Sequence, residues 1–174
     1  MSIEVDQSGK VEDTSKSTVL AFSNDKTGAV ILMARDKRRL QEMFRRIGAP
    51  RLYVDYVFST LVIVLLRRLS CGKVTIDLEY PGHTKIISSL ITTKLNIDIE
   101  WKSIGKRSPA HDLAYKAFSK KLKAVRKVSA KDIWKLAQKI TGGYLKTGLK
   151  PANRYSAPVT NFSIAKRKSK SRTP

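Results

Sequence analysis

The chain is 174 residues long and 41% hydrophobic, and its 35 Lys and Arg outnumber 14 Asp and Glu for a formal charge of +21. That apolar content excludes a wholly disordered chain, and a lone Cys71 excludes an internal disulfide, which fits a reducing, cytoplasmic setting. The longest apolar run, residues 52–66, is interrupted by Asp55 and falls short of the roughly 20 residues a membrane span needs.

In chain order, residues 1–17 are polar, with no apolar stretch of the signal-peptide kind, and are expected to form a disordered leader. Residues 18–23 and 28–33 are β-rich runs joined by Asn24-Asp25-Lys26-Thr27, the pattern of a β-hairpin. Leu40, Met43, Phe44 and Ile47 recur at helical spacing after Asp36, with Gly48 as a stop. Residues 54–69 follow as an almost wholly apolar helix, with a buried strand over 61–66 as the alternative. Lys73–Tyr80 alternates like a strand, Pro81-Gly82 breaks it, 83–95 has helical spacing, and 96–102 alternates again. Ser108-Pro109 opens a further helix whose apolar stripe runs from Ala110 to Val125. Ser129 and Asp132 form a capping box at the start of a last helix, which Gly142-Gly143 ends. The expected fold is α/β: a small mixed sheet with an N-terminal hairpin, a parallel strand–helix–strand unit with a right-handed crossover, flanking helices and a basic C-terminal extension. The expected organisation is a leader at 1–17, one domain at 18–145 and an extended tail at 146–174.

The charge is lopsided. Residues 1–101 hold 15 basic against 12 acidic side chains, whereas residues 102–174 hold 20 against only Asp112 and Asp132. A solvated helix surface interleaves acids with its lysines, so their scarcity points to a polyanionic partner. The 102–111 loop leads into a helix N-terminus, where free N–H groups and the positive dipole end favour phosphate. Lys102, Lys106, Arg107 and Ser108 surround that point. Lys116, Lys120, Lys123 and Lys127 recur at i+4, i+3 and i+4, the spacing of one helical stripe that would track a phosphate backbone. Lys166, Arg167 and Lys168 open a basic tail.

If strands 73–80 and 96–102 are parallel neighbours, the loops after them leave the same sheet edge, where ligands of open α/β sheets bind. His83, His111, Asp77, Glu79 and Asp112 are then candidates for acid–base or metal chemistry. Asp98, Glu100 and Lys102, in E-x-K spacing on one strand face, resemble the metal-binding half of the PD-(D/E)xK nucleases. The order of elements over residues 18–125 is similar to the ribonuclease-H-like superfamily. That resemblance implies metal-dependent phosphoryl transfer. Asp77 or Glu79 would stand for the carboxylate after the fourth strand, Asp112 for that on the last helix with His111 beside it, and Asp55 for that on the first long helix. The family's first-strand Asp has no counterpart in Thr18–Ser23.

These readings yield three functions. The first is a nucleic-acid-binding protein, RNA above DNA, that requires no cofactor and serves as a ribonucleoprotein component. The second is a nuclease of ribonuclease-H-like fold using Mg²⁺ or Mn²⁺. The third is an adaptor for an acidic protein or membrane surface.

Overall fold

The computed structural model describes residues 2–70, 72–105, 107–122, 125–142 and 145. Among them are six strands: β1 (Ser2–Ser8), β2 (Thr18–Ser23), β3 (Thr27–Leu32), β4 (Lys73–Asp77), β5 (Asp98–Lys102) and β6 (Arg126–Val128). Five α-helices accompany them: α1 (Ala34–Arg46), α2 (Tyr53–Leu66), α3 (Thr84–Thr92), α4 (Pro109–Phe118) and α5 (Ala130–Ile140). The sheet order is β5-β4-β1-β2-β3-β6. β1, β2 and β3 form an antiparallel meander; β4 joins β1, β5 joins β4 and β6 joins β3, all in parallel. The mixed α/β architecture, the hairpin and the parallel β4–α3–β5 unit are as the sequence leads one to expect. No helix among the described residues is long and apolar enough to cross a membrane.

Two departures matter. Residues 2–8 are not a leader: they form β1, which pairs on both sides in the middle of the sheet. Ile3 and Val5 point into the main core, while Glu4 and Asp6 point to the opposite face, the period-2 alternation of a strand. Residues 2–8 are thus part of the same sheet as residues 18–32. The other departure is at 119–128. α4 stops at Phe118, where the Ser119 hydroxyl bonds back to the carbonyls of Tyr115 and Lys116 and Lys120 takes a left-handed φ of 61°. The chain then enters β6, because the open edge of β3 accepts a parallel partner from Arg126 to Val128. The lysine stripe is thus not one helix face. Lys116 is on α4, Lys120 follows its end, Lys127 is on an edge strand, and Lys123 lies outside the described residues, as do Lys106, Lys166, Arg167 and Lys168.

Helices cover both faces of the sheet. α2 is buried along nearly its whole length and forms the spine of the main core with Phe44, Phe58, Ile76, Ile87 and Ile133. Its continuous hydrophobicity reflects neighbours all round: α1, α3 and α5 beside it and β2 and β3 beneath it. The helical reading of 54–69 is the observed one as far as Leu66, where α2 ends, and the strand alternative at 61–66 is not. α4 packs on β1, β2 and β3 over a second cluster, in which Ala114 and Ala117 meet Val19, Ala21 and Ala29. Small residues on both sides let α4 approach the sheet closely. Gly9, at φ +77°, turns the chain out of β1; a Cβ there would meet the Ser17 carbonyl oxygen at 2.3 Å and the Phe118 ring at 2.8 Å.

The connection from β1 to β2 is held from inside. Lys37 on α1 is fully buried, and its Nζ donates to the Lys10 carbonyl at 2.7 Å and the Thr18 hydroxyl at 2.8 Å. The Tyr53 hydroxyl donates to the Val11 carbonyl at 3.1 Å. These bonds fix the path of the chain directly after Asp6.

Candidate functional site

β1, β4 and β5 run in the same direction, so their carboxyl ends share one edge. The β1–β4 register ends with Val5 opposite Ile76. The next residues, Asp6 and Asp77, therefore lie abreast on strands about 4.8 Å apart. The β4–β5 register extends the row to Lys102, opposite Asp77. Glu79 follows β4 by two residues, and Lys10, just beyond β1, reaches it at 3.9 Å. α4 descends onto this row from one face. The Ser108 hydroxyl accepts from the Ala110 N–H at 3.1 Å as N-cap and donates to the Glu4 carboxylate at 2.7 Å, which ties the helix N-terminus to β1. One turn on, His111 Nδ1 meets the Asp6 Oδ2 at 2.8 Å.

The electrostatics follow from this crowding. Asp6 is 2% exposed. Burial raises its carboxyl above the ordinary range, against hydrogen bonds from the Gln7 N–H and His111, and the charge of Asp77 adds to the rise. Glu79 is raised by burial and then by Asp77, with Lys10 opposing. Asp77 accepts the Ile104 N–H at 2.6 Å, which draws the start of the basic loop onto the acidic row. Behind the row, the Tyr80 hydroxyl accepts from the Gln7 side chain at 2.9 Å and the Val11 N–H at 3.0 Å, and its ring packs edge-on against Phe58. Burial raises the Tyr80 phenol, keeping it a neutral brace.

Of the acid–base residues expected from sequence, Asp77 and Glu79 lie beside Asp6 on this edge, and His111 joins them through its contact with Asp6. Asp112 does not: it is exposed and pairs with Lys116 at 2.6 Å along the helix. His83 is also apart. Its Nδ1 meets buried Asp55 at 2.6 Å, joining the start of α3 to the first turn of α2. That contact opposes the rise that burial imposes on Asp55. Glu100 pairs with Lys73 at 3.0 Å, so the E-x-K triplet on β5 is partly neutralised within the sheet surface. Lys102 and Arg107 are exposed beside the row, whereas the Ser108 side chain is taken up by Glu4 and its cap.

Asp6, Glu4 and Lys10 were invisible as site residues while 1–17 read as a leader. The alternation Ile3-Glu4-Val5-Asp6 is the signal that finds them.

Among the described residues, no three His, Cys, Asp or Glu side chains converge on one point as a ready-made metal site. The donor set suits a hard divalent cation in kind. Asp6, Asp77 and Glu79 offer carboxylate oxygens, and two of these groups are raised by burial and neighbouring negative charge, a condition a bound cation relieves.

No family model matches the chain, and no curated protein matches it.

Proposed function

We propose that this protein binds nucleic acid and hydrolyses its phosphodiester bonds at the Asp6 edge, as a divalent-metal-dependent nuclease of ribonuclease-H-like build. The observation that carries this reading is the position of Asp6, on the first strand and beside Asp77 at the end of the fourth. The resemblance in element order asks for an acid in each of those places. It also asks for a carboxylate on the last helix, expected at Asp112, but Asp112 pairs with Lys116 along α4, and the α4 side chain that meets Asp6 is His111.

Asp6 and Asp77, abreast on β1 and β4, would hold a Mg²⁺ or Mn²⁺ between them, with water and substrate oxygens as its other ligands, since among the described residues no third carboxylate converges on the same point. Such an ion supplies charge to the phosphoryl oxygens and acidifies a bound water. The remaining steps belong to the chain. Asp6 fixes the His111 ring through Nδ1, leaving Nε2 without a partner among the described residues and placed to carry a proton. Lys102 and Arg107 draw the phosphate backbone to the edge. The α4 N-terminus points its dipole toward the same place.

The test is cleavage of labelled RNA, DNA and RNA–DNA hybrid with Mg²⁺ or Mn²⁺, beside binding measured in EDTA. Asp6→Asn and Asp77→Asn are expected to lower cleavage about 100-fold or more and leave binding in place. Asp112→Asn is expected to change neither. Cleavage that survives Asp6→Asn overturns the assignment. Binding without cleavage in either metal would leave the second reading, a nucleic-acid-binding component, for which the surplus of cations in residues 102–174 is the support. Equal competition by polyglutamate or anionic vesicles would favour the adaptor.

A further inference from the structure

A groove of about 260 Å³ opens between the C-terminal end of α2, the edge strand β6 and α5, on the face of the sheet opposite α4. Arg67, Arg126, Lys135 and Lys139 line it. Lys127, expected on a helical stripe, borders it only as the β6 residue between Arg126 and Val128, opposite Ile31 of the other face. None of Arg67, Arg126, Lys135 and Lys139 has an ion pair among the described residues. The one carboxylate in the lining, Asp132, is engaged in the α5 capping box with the Ser129 hydroxyl and N–H. Burial and then the like charges of Arg67 and Arg68 weaken the hold of Arg126 on its proton, with Asp132 opposing. A helix C-terminus accounts for an arginine at Arg67, since cations suit the negative end of the dipole. The same explanation covers Lys139 in the last turn of α5, but not Arg126 on a neighbouring strand or Lys135 one turn earlier on α5.

From this we infer that the α2–β6–α5 groove is a second binding site for the phosphate backbone of nucleic acid, separate from the Asp6 edge. The inference rests on the reading of the protein as a nucleic-acid binder. Like charges gathered around a cleft raise the local concentration of a polyanion, and guanidinium groups pair with phosphate in a planar fork. Val64, Val128 and Leu136 supply an apolar floor, which suits a sugar or base face between phosphates better than the carboxylates of an acidic peptide. With sites on two faces, one molecule can hold a long strand as it wraps the domain edge, or two segments at once.

The experiment measures binding of a labelled 30-nucleotide RNA in EDTA at rising salt for four full-length proteins. These are wild type, Arg67→Ala/Arg126→Ala, Lys135→Ala/Lys139→Ala, and Lys102→Ala/Arg107→Ala at the acidic edge. The substituted residues are exposed, and matching circular dichroism melts confirm intact folds. Each groove variant is expected to bind about tenfold more weakly at 0.1 M salt and to flatten the slope of log affinity against log salt by about 1–2, as loss of one or two phosphate contacts requires. Groove variants that bind like wild type, while the Lys102/Arg107 variant weakens, would overturn the second site and leave the nucleic-acid reading intact. No binding by wild type at low salt would remove that reading and this one with it. Polyglutamate that displaces RNA from wild type, and does so less well from the groove variants, would assign the groove to an acidic protein and overturn the proposal.

Discussion

Glu79 is where the cost of the acidic edge is easiest to measure. It is partly buried, Asp77 is beside it, Asp6 lies beyond, and the Lys10 ammonium is at the limit of pairing distance. Its carboxyl is therefore raised in the folded state, which holds the proton more tightly than the unfolded chain does. The stabilising contribution of that proton is complete below the ordinary value of 4.5 and is lost as pH rises through the folded value. At neutral pH the ionised group works against folding. Glu79→Gln is thus expected to raise the melting temperature at pH 7 by roughly 1–3 °C, and the gain should vanish near pH 3.5, where wild type is protonated as well. Melts of both proteins at the two pH values decide it. A lowered melting temperature at pH 7 would mean that the Lys10 contact outweighs the repulsion. Asp6→Asn shifts in the same direction by less, because the neutral amide is a weaker acceptor for the Gln7 N–H and for His111. Stability gained by removing these acids is what a site tuned for binding a cation, rather than for folding, should show.

At the scale of elements, α1 does more than cover the core. Through Lys37 it clamps the connection between β1 and β2, with an ammonium group inside the protein. Burial lowers Lys37 from 10.5 to about 8, and the charges of Asp13 and Glu12 oppose the fall. Between those two values the unfolded chain keeps a proton that the folded protein has released, so stability rises with pH across that window. The shift corresponds to an upper bound of about 3 kcal/mol. Lys37→Met removes the titrating group and should flatten the rise in urea midpoint between pH 7.5 and 10 relative to wild type. Comparing the two proteins cancels the relief of general charge repulsion, which both share. Equal slopes would mean that Lys37 is solvated in the folded state. Elements such as the hairpin, β4, α2 and the capped α5 were legible because each carries its own local pattern: a turn between β-rich runs, strict alternation, a long apolar run, a Ser129–Asp132 box. β6 has only three residues and exists because β3 leaves an edge open, a fact of topology that no local window contains. β1 does have a local pattern, but Glu4 and Asp6 read as a wetted polar segment when they are in fact the floor of the candidate site. Half of that site was legible for the same reason. Asp77, Glu79 and His111 sit beside recognisable elements, whereas their partner Asp6 comes from about 70 residues or more away in sequence.

For the molecule as a whole, β1 is the strand that makes one sheet out of two pieces. On one side it takes the β2–β3 hairpin with β6 beyond, and on the other it takes the β4–α3–β5 unit. Without it, β2 and β4 have no shared neighbour, and the floor beneath α2 loses Ile3 and Val5, which are 3% and 0% exposed. A disordered leader could be trimmed with little effect on stability. Deleting residues 1–8 is instead expected to abolish cooperative unfolding, because the backbone hydrogen bonds of both flanking strands lose their partners inside the protein. The milder test is Val5→Asp, which places an unpaired carboxylate in the core. Its expected cost, about 3–5 kcal/mol, is a large share of the 5–15 kcal/mol that holds a typical domain together. Hydrogen exchange gives the reading without mutation: in a central strand the amides of residues 3–7 open only with the whole domain and are among the slowest to exchange. Fast exchange there, together with an unchanged melt after deletion, would separate β1 from the sheet. It would also remove Asp6 from the candidate site, because the only element that brings Asp6 beside Asp77 is this strand.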